Sequence, residues 1–359
     1  MSNTLGNSLK LTLFGESHGP YVGVVLDGLT PGIKIDEDLI REALNKRRPK
    51  SNLDTKRKEV DDFKIISGVF NSYSTGEPIC LIIPNEDVKS SDYNGDIPRP
   101  SHSDYAAYVA SNGYFDYRGG GHFSGRLTAP IVAIGAILIK ALEDKGIKIG
   151  THILKLGKVN DSSFSNFEKE MELLKNKDLA LIDNLDQEVE EEILKAKNDL
   201  DSIGGILQTA VINLPAGLGS PWFNSLEGKI SNAMFSIGGV KGIEFGKGFE
   251  FASGYGSTLN DQFVYEDNKV KTLTNNNGGI NGGLSNGMPV IFNLAVKPTP
   301  SIAKKQQSIN LKTKENVDLE IKGRHDPAII KRLPIVINSI LAIVLADELL
   351  TKYGKDYLK

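Results

Sequence analysis

The chain has 359 residues, 42 of them basic and 45 acidic, for a net charge of -3, and one cysteine, Cys80. That balance excludes a general polyanion-binding surface, and a lone cysteine excludes disulfides and cysteine-rich metal sites. Hydrophobic residues at 40% fit a folded core, while 37 glycines beside only 15 prolines mark a fold with many permissive backbone positions rather than a low-complexity chain.

Residues 9–14 and 21–26 are rich in branched and aromatic side chains and are predicted strands. The segment between them, Gly15-Glu16-Ser17-His18-Gly19-Pro20, is too long and polar for a minimal hairpin turn. Asp36 is a predicted N-cap, followed by an apolar stripe at Leu39, Ile40, Ala43 and Leu44. Lys46, Arg47 and Arg48 suit the last turn of that helix, and Pro49 stops it. Residues 50–62 are charged and expected to form an exposed loop. Residues 64–70 and 78–83 are expected to pair as strands around Gly76, and 85–105 to be a long polar loop, a length that favours function or disorder. A strongly apolar helix is predicted over 130–144, then a strand over 148–156.

Two acidic helices follow at 166–175 and 186–198, then a strand over 205–214 and an amphipathic helix over 225–235. Residues 237–287 hold 12 of the glycines, and 289–296 is a predicted strand leading into Lys297-Pro298-Thr299-Pro300-Ser301. Asp326 is expected to cap a last helix with Pro327 in its first turn, a kink or split at Pro334 and a stop at Gly354. Its apolar stretch at 333–350 contains Asn338, Asp347 and Glu348 and is expected to be buried rather than to span a membrane. The first residues lack a basic region followed by a long apolar run, so no secretory signal is expected and a cytoplasmic protein is. Length alone points to two or three domains at about 150 residues each. The irregular alternation of strands and helices, with no repeat or linker, favours one large α+β domain over residues 1–359.

Four of the five histidines lie in segments able to carry chemistry. His18, between glycines, is either a turn histidine bonded to a carbonyl or a proton carrier beside Ser17. His102 sits in Arg99-Pro100-Ser101-His102-Ser103-Asp104-Tyr105, a compact polar group or a solvated loop. His122 follows Gly119-Gly120-Gly121 and precedes Phe123-Ser124-Gly125-Arg126 just before a helix, a pattern that suits an anion site. His325 lies between Arg324 and Asp326. His152 opens an apolar strand and is read as structural. P-loop, dinucleotide-fingerprint, HExxH and GxSxG patterns are absent. These residues point to an enzyme acting on a phosphorylated or polyanionic small molecule, with no metal and no nucleic acid.

Nine segments together resemble the chorismate synthase family: FGESHG (14–19), RRP (47–49), SGVF and STGEPI (67–79), RPSHSDY (99–105), YRGGG and SGRLTAP (117–130), GGVKGIEFGKGF (238–249), NNNGGINGGLSNGMP (275–289), KPTPS (297–301) and GRHDP (323–327). They occur in family order across nearly the whole chain. The resemblance implies a β-α-β sandwich, a homotetramer and the anti-1,4-elimination of phosphate from 5-enolpyruvylshikimate 3-phosphate to give chorismate. It also implies a requirement for reduced FMN (FMNH2), with NADPH only an indirect source of reduction. By the same resemblance His18 protonates the departing phosphate, His102 serves the flavin, and Asp326 acts with the flavin in proton removal. Ser17, Arg47, Arg48 and Arg126 hold the substrate. His122, Phe123, Ser124, Gly238, Gly239, Gly282, Lys297, Pro298, Thr299, Pro300, Ser301 and Arg324 hold the cofactor. Many relatives have Arg-Ser-Ser-Ala-Arg where this chain has His122-Phe123-Ser124-Gly125-Arg126, and an arginine after RRP where it has Lys50-Ser51-Asn52-Leu53.

Overall fold

Two five-stranded antiparallel sheets enclose a layer of helices in the computed structural model, which describes residues 2–49, 60–86, 94–176, 179–183, 185–321 and 326–359. The first sheet runs, in spatial order, Thr4–Leu5, Lys10–Gly15, Tyr21–Asp27, Ile79–Pro84 and Lys64–Ser67. The second runs Val240–Phe245, Val290–Val296, Gly205–Ile212, Lys148–Leu156 and Val159–Asn160. Along Ile79–Pro84, buried and half-buried residues alternate, as they must when one face of a pleated strand packs on helices.

The helices are α1 (Glu37–Arg47), α2 (Asp104–Ala110), α3 (Thr128–Asp144), α4 (Phe167–Asn176), α5 (Leu185–Asn198), α6 (Leu226–Phe235), α7 (Gly256–Leu259) and α8 (Leu333–Tyr353). Helices α3 and α8 pack against each other between the sheets, α3 on the first and α8 on the second. The β-α-β sandwich expected from resemblance is the observed fold. The approach of the two central helices is close enough that a Cβ on Gly135 would lie 2.2 Å from the Cβ of Ser339. Both helices are long and apolar enough to cross a membrane, yet 72% of the apolar window of each is buried inside the molecule. Every residue from 341 to 350 in α8 is buried, Asp347 and Glu348 included. The Asp347 carboxylate accepts backbone N–H bonds from Asn7, Ser8 and Leu9, and Glu348 pairs with Lys229, so neither acid is stranded.

Local signals in the sequence carried well where an element starts or stops itself. Asp36 accepts N–H bonds from Asp38 and Leu39 and opens α1. Ser225 caps α6 through the Gly228 N–H, and Gly354, at φ 93°, ends α8. Three expectations are corrected. Asp326 does not cap the last helix: a short 3-10 turn at Ile329–Arg332 comes first and is split from α8 at the expected place, with Pro334 in the first turn of α8, where no N–H from proline is needed. The 64–70 strand breaks at Gly68, leaving Lys64–Ser67 in the sheet and Val69–Phe70 in a small hairpin with Tyr73–Ser74. The 85–105 loop gives way to α2 at Asp104.

Candidate active site

The strand pair Lys10–Gly15 and Tyr21–Asp27 ends its register at Gly15 opposite Val22, so residues 16–20 form a loop beyond the ladder. The triple glycine packs on that loop. Gly119, Gly120 and Gly121 have φ of 60, 83 and 53°, a left-handed path that side chains disfavour. A Cβ on Gly119 would lie 2.5 Å from both His18 Nε2 and Ser17 Oγ. Ser17 is fully buried, and its N–H donates to the Gly121 carbonyl at 3.1 Å. On the other side of the same turn, a Cβ on Gly120 would lie 3.7 Å from His102 Nε2. Glycine backbone thus runs between His18 and His102.

His102 is oriented from behind. Its Nδ1 lies 2.6 Å from Asp104 Oδ1 and 3.1 Å from Arg99 Nη2, while Arg99 Nε and Nη2 donate to Asp104 at 2.7 and 2.8 Å. Burial alone would raise the Asp104 carboxyl, but bonds from Arg99 and His102 outweigh it and hold the group well below the usual carboxylate range. With a carboxylate on Nδ1, the proton there is fixed and Nε2 is the nitrogen left for proton exchange on the glycine side. The 297–301 segment docks on the same loop: Lys297 Nζ donates to the Ser101 carbonyl at 2.5 Å and Arg99 Nη1 to Ser301 Oγ at 3.4 Å.

From there the contacts continue. Lys297 N–H donates to the Gly239 carbonyl, Ser202 Oγ to the Thr299 carbonyl, and Ile203 N–H to the Pro327 carbonyl beside Asp326. Asp326 Oδ2 accepts from Arg332 Nη2. Arg332 acts electrostatically on Arg47, whose Nη2 donates to Asp61 Oδ2 at 3.1 Å. Asp61 Oδ1 accepts from Arg126 Nη1, and Arg48 Nε lies 3.5 Å from Oδ2, an ion-pair contact. Arg126 Nε donates to Asn85 Oδ1 at 2.9 Å, and Asn85 Nδ2 donates to the Glu16 and Gly19 carbonyls, which returns to the loop of His18.

Electrostatics dominate one arc of this circuit. Four guanidiniums, of Arg47, Arg48, Arg126 and Arg332, face two carboxylates, of Asp61 and Asp326. Burial pulls the Arg47 guanidinium down to about 10; Asp61 opposes the fall, and Arg126 and Arg332 add to it. It remains charged at neutral pH. The Nε atoms of Arg47, Arg48 and Arg332 are buried without a hydrogen-bond partner among the described residues. Surplus positive charge and unsatisfied donors suit a multiply charged anion. A cavity of about 430 Å³ meets this arc only at Arg48 and Arg332 and is otherwise lined by α3, α4, α5, α8, the Lys148–Leu156 strand and Lys46 of α1. Neither histidine nor the glycine turn lines it, so we place the chemistry at the circuit.

The cofactor candidates divide. Thr299 Oγ1 is buried without a hydrogen-bond partner among the described residues, and space is open beside Gly238. Burial first, and then Lys241, hold the Lys297 ammonium below its ordinary range. Lys297, Thr299 and Ser301 with the Gly238-Gly239 backbone therefore offer a cation, hydroxyl groups and open backbone to a phosphorylated group. His122 faces elsewhere, its Nδ1 on the Gly15 carbonyl at 2.8 Å and its Nε2 on Asn3 at 3.1 Å. Phe123 is half exposed, and Ser124 caps the short turn before α3 through the Arg126 N–H. Gly282 sits with Gly283 at the tip of a two-residue hairpin, and Gly283 packs on Ser220 and Ser225 near α6. Arg324 and His325 lie outside the described residues, as do Lys50 to Leu53.

Sequence reasoning missed Asp61, Asn85 and Arg332. Asp61, expected in an exposed loop, is 4% exposed. Two adjacent acids before an apolar strand look like any solvated turn, and nothing in the spacing assigns three arginines to one of them. Arg332 lies six residues after Asp326, where the expected helix placed it on an unremarkable face.

An α+β sandwich whose loops gather guanidiniums, glycine backbone and two histidines presents a candidate site for a small anionic molecule. A sequence profile of the chorismate synthase family matches residues 9–350. The chorismate synthase of Methanocaldococcus jannaschii is 43% identical over 97% of this chain and 96% of its own length, and that of Pyrococcus abyssi is 43% identical over 96% and 97%. A crystal structure of a chorismate synthase superposes with a TM-score of 0.75 at 29% identity, covering 98% of this chain and 94% of that one. The chain belongs to the chorismate synthase family. It is an enzyme of that class, a lyase, which places it in the shikimate pathway of aromatic biosynthesis.

Proposed function

We propose that the enzyme converts 5-enolpyruvylshikimate 3-phosphate to chorismate by anti-1,4-elimination, losing the phosphate and one hydrogen and requiring reduced FMN. The observation that carries this reading is the passage of the triple glycine between His18 and His102, on a circuit that also holds the arginine cluster. A substrate with one phosphate and two carboxylates needs several converging cations, and Arg47, Arg48 and Arg126, with Ser17, are the residues we assign to it. His18 donates a proton to the departing phosphate. Asp326, held by Arg332, accepts the substrate proton. His102, held by Asp104, exchanges its proton at Nε2 beside the cofactor. Reduced FMN, when bound, supplies electron density that helps phosphate leave and takes it back, without net redox change. Lys297, Pro298, Thr299, Pro300, Ser301, Gly238 and Gly239 would hold it, with Arg324 and Gly282 contributing on resemblance, and His122, Phe123 and Ser124 chiefly through backbone.

The same reading treats residues 1–359 as one domain, supported by an apolar core that draws on both sheets and the helices between them. It makes the protein a cytoplasmic homotetramer with no membrane or nucleic-acid partner. Trp222, Phe223, Phe249 and Tyr255 are among the exposed large apolar side chains available to a protomer interface. NADPH enters only through external reduction of the flavin. The test is an anaerobic assay with photoreduced FMN and the phosphorylated substrate, following diene absorbance and phosphate together. Phosphate released without the diene would sink the reading, and turnover on NADPH plus oxidised FMN alone would show that the chain reduces its own flavin.

A further inference from the structure

We propose that Asp61 is a positioning residue, an internal counter-anion that keeps Arg47, Arg48 and Arg126 converged for the anionic substrate. The inference rests on the reading above for the identity of that substrate, but its geometry stands alone. Asp61 Oδ1 takes Arg126 and Oδ2 takes Arg47, with Arg48 at 3.5 Å. The side chain is 1% exposed, and the residue has φ 55°, a left-handed backbone that only a few per cent of non-glycine residues adopt. Arg126 is tied on its other nitrogens to Asn85 and the Pro84 carbonyl, and Arg47 to Thr128. The framework therefore fixes Arg126, Arg126 fixes Asp61, and Asp61 draws in the two arginines at the end of α1. Burial alone would raise the Asp61 carboxyl, yet Arg47 and Arg126 hold it below its usual range, so it is ionised wherever the enzyme is folded near neutrality.

One carboxylate cannot neutralise three guanidiniums. Without it, three like charges within a few ångströms in a poorly solvated site would repel and spread. With it, they stay together and keep net positive charge for a ligand. Asp61 thus occupies the place of an anion when no substrate is bound, and an external anion should be able to take that place when the carboxylate is removed.

Asp61→Asn tests this with two independent readouts. The first is thermal unfolding with inorganic phosphate substituted for chloride at fixed ionic strength. Phosphate is expected to raise the Tm of the variant by about 3 °C more than that of the unmodified enzyme. The second is steady-state kinetics, where KM for the phosphorylated substrate is expected to rise about tenfold with kcat changed less than about threefold. Asp61→Glu, which restores the charge, should recover most of the KM. Equal phosphate shifts in both proteins, an unchanged KM, or an Asp61→Asn chain that stays unfolded even in phosphate would each overturn the proposal; the last would make Asp61 a part of the core. If the unmodified enzyme makes no chorismate, the reading of function fails, and the phosphate shift still decides Asp61.

Discussion

Two histidine–aspartate pairs of nearly equal length do different work in this molecule. His102 Nδ1 lies 2.6 Å from Asp104, and His152 Nδ1 lies 2.8 Å from Asp161. The side chains of His152 and Asp161 are both completely buried. The Nε2 of His152 lies 3.4 Å from Gln208 Oε1, its ring meets Phe164 edge-on at 4.8 Å, and Asp161 also accepts the N–H groups of Leu181 and Ile182. Both ring nitrogens are occupied by the fold, so the pair pins the 179–182 segment to the second sheet and has no nitrogen to spare. The side chains of His102 and Asp104 are 18% and 15% exposed, and the second nitrogen of His102 faces glycine backbone and has no hydrogen-bond partner among the described residues. A His–Asp pair becomes a proton carrier only when one nitrogen is anchored and the other looks into a site.

Substitutions can break or sharpen that contrast. The largest expected effect is on turnover: His102→Ala should lose about 10²-fold or more in kcat while remaining folded, and His18→Ala and Asp326→Ala should do likewise. His152→Ala should keep its turnover at temperatures where it is folded and lose about 2–3 kcal/mol of stability, since it removes the side-chain partner of a buried carboxylate and opens a cavity. If His152→Ala lost turnover while still folded by circular dichroism, the contrast would collapse. Next comes Gly119→Ala, which forces a Cβ onto Ser17 and His18 from a left-handed backbone. It should cost about 1–3 kcal/mol and lower kcat, whereas Gly125→Ala, with open space at its Cβ, should do neither. The smallest effect is on pH dependence. Asp104 and Asp161 are both held below the usual carboxylate range. Each therefore contributes stability that is present above about pH 4 and is lost as pH falls through its lowered folded value. The acid limb of a Tm–pH curve should flatten in both Asp104→Asn and Asp161→Asn, and only Asp104→Asn should alter the pH–rate profile.

Some of the site was legible because its chemistry is local. Arg99, His102 and Asp104 fall within six residues and meet in space, and the triple glycine advertises a backbone path closed to side chains. Asp36 and Gly354 announce helix ends through caps that need no tertiary partner. Asp61 and Arg332 were not legible, although they complete the arginine arc. In sequence, Asp61 is one of two acids after a run of charges. In the fold it pairs with Arg47, 14 residues away, and Arg126, 65 residues away. Asp347 shows the same limit: an acid in an apolar helix is satisfied by amides 338 to 340 residues earlier in the chain.

By itself the sequence determined the caps at Asp36 and Gly354, the periodicities, the glycine turns and the inventory of groups able to carry charge or protons, because these depend on neighbours a few residues apart. The tertiary structure alone decided which carboxylate partners which cation, which histidine keeps a nitrogen for a ligand, and which charged residue is withdrawn from water. The physical reason is that burial and the local dielectric are set by packing between distant segments, and a buried acid and a solvated one are written with the same letter.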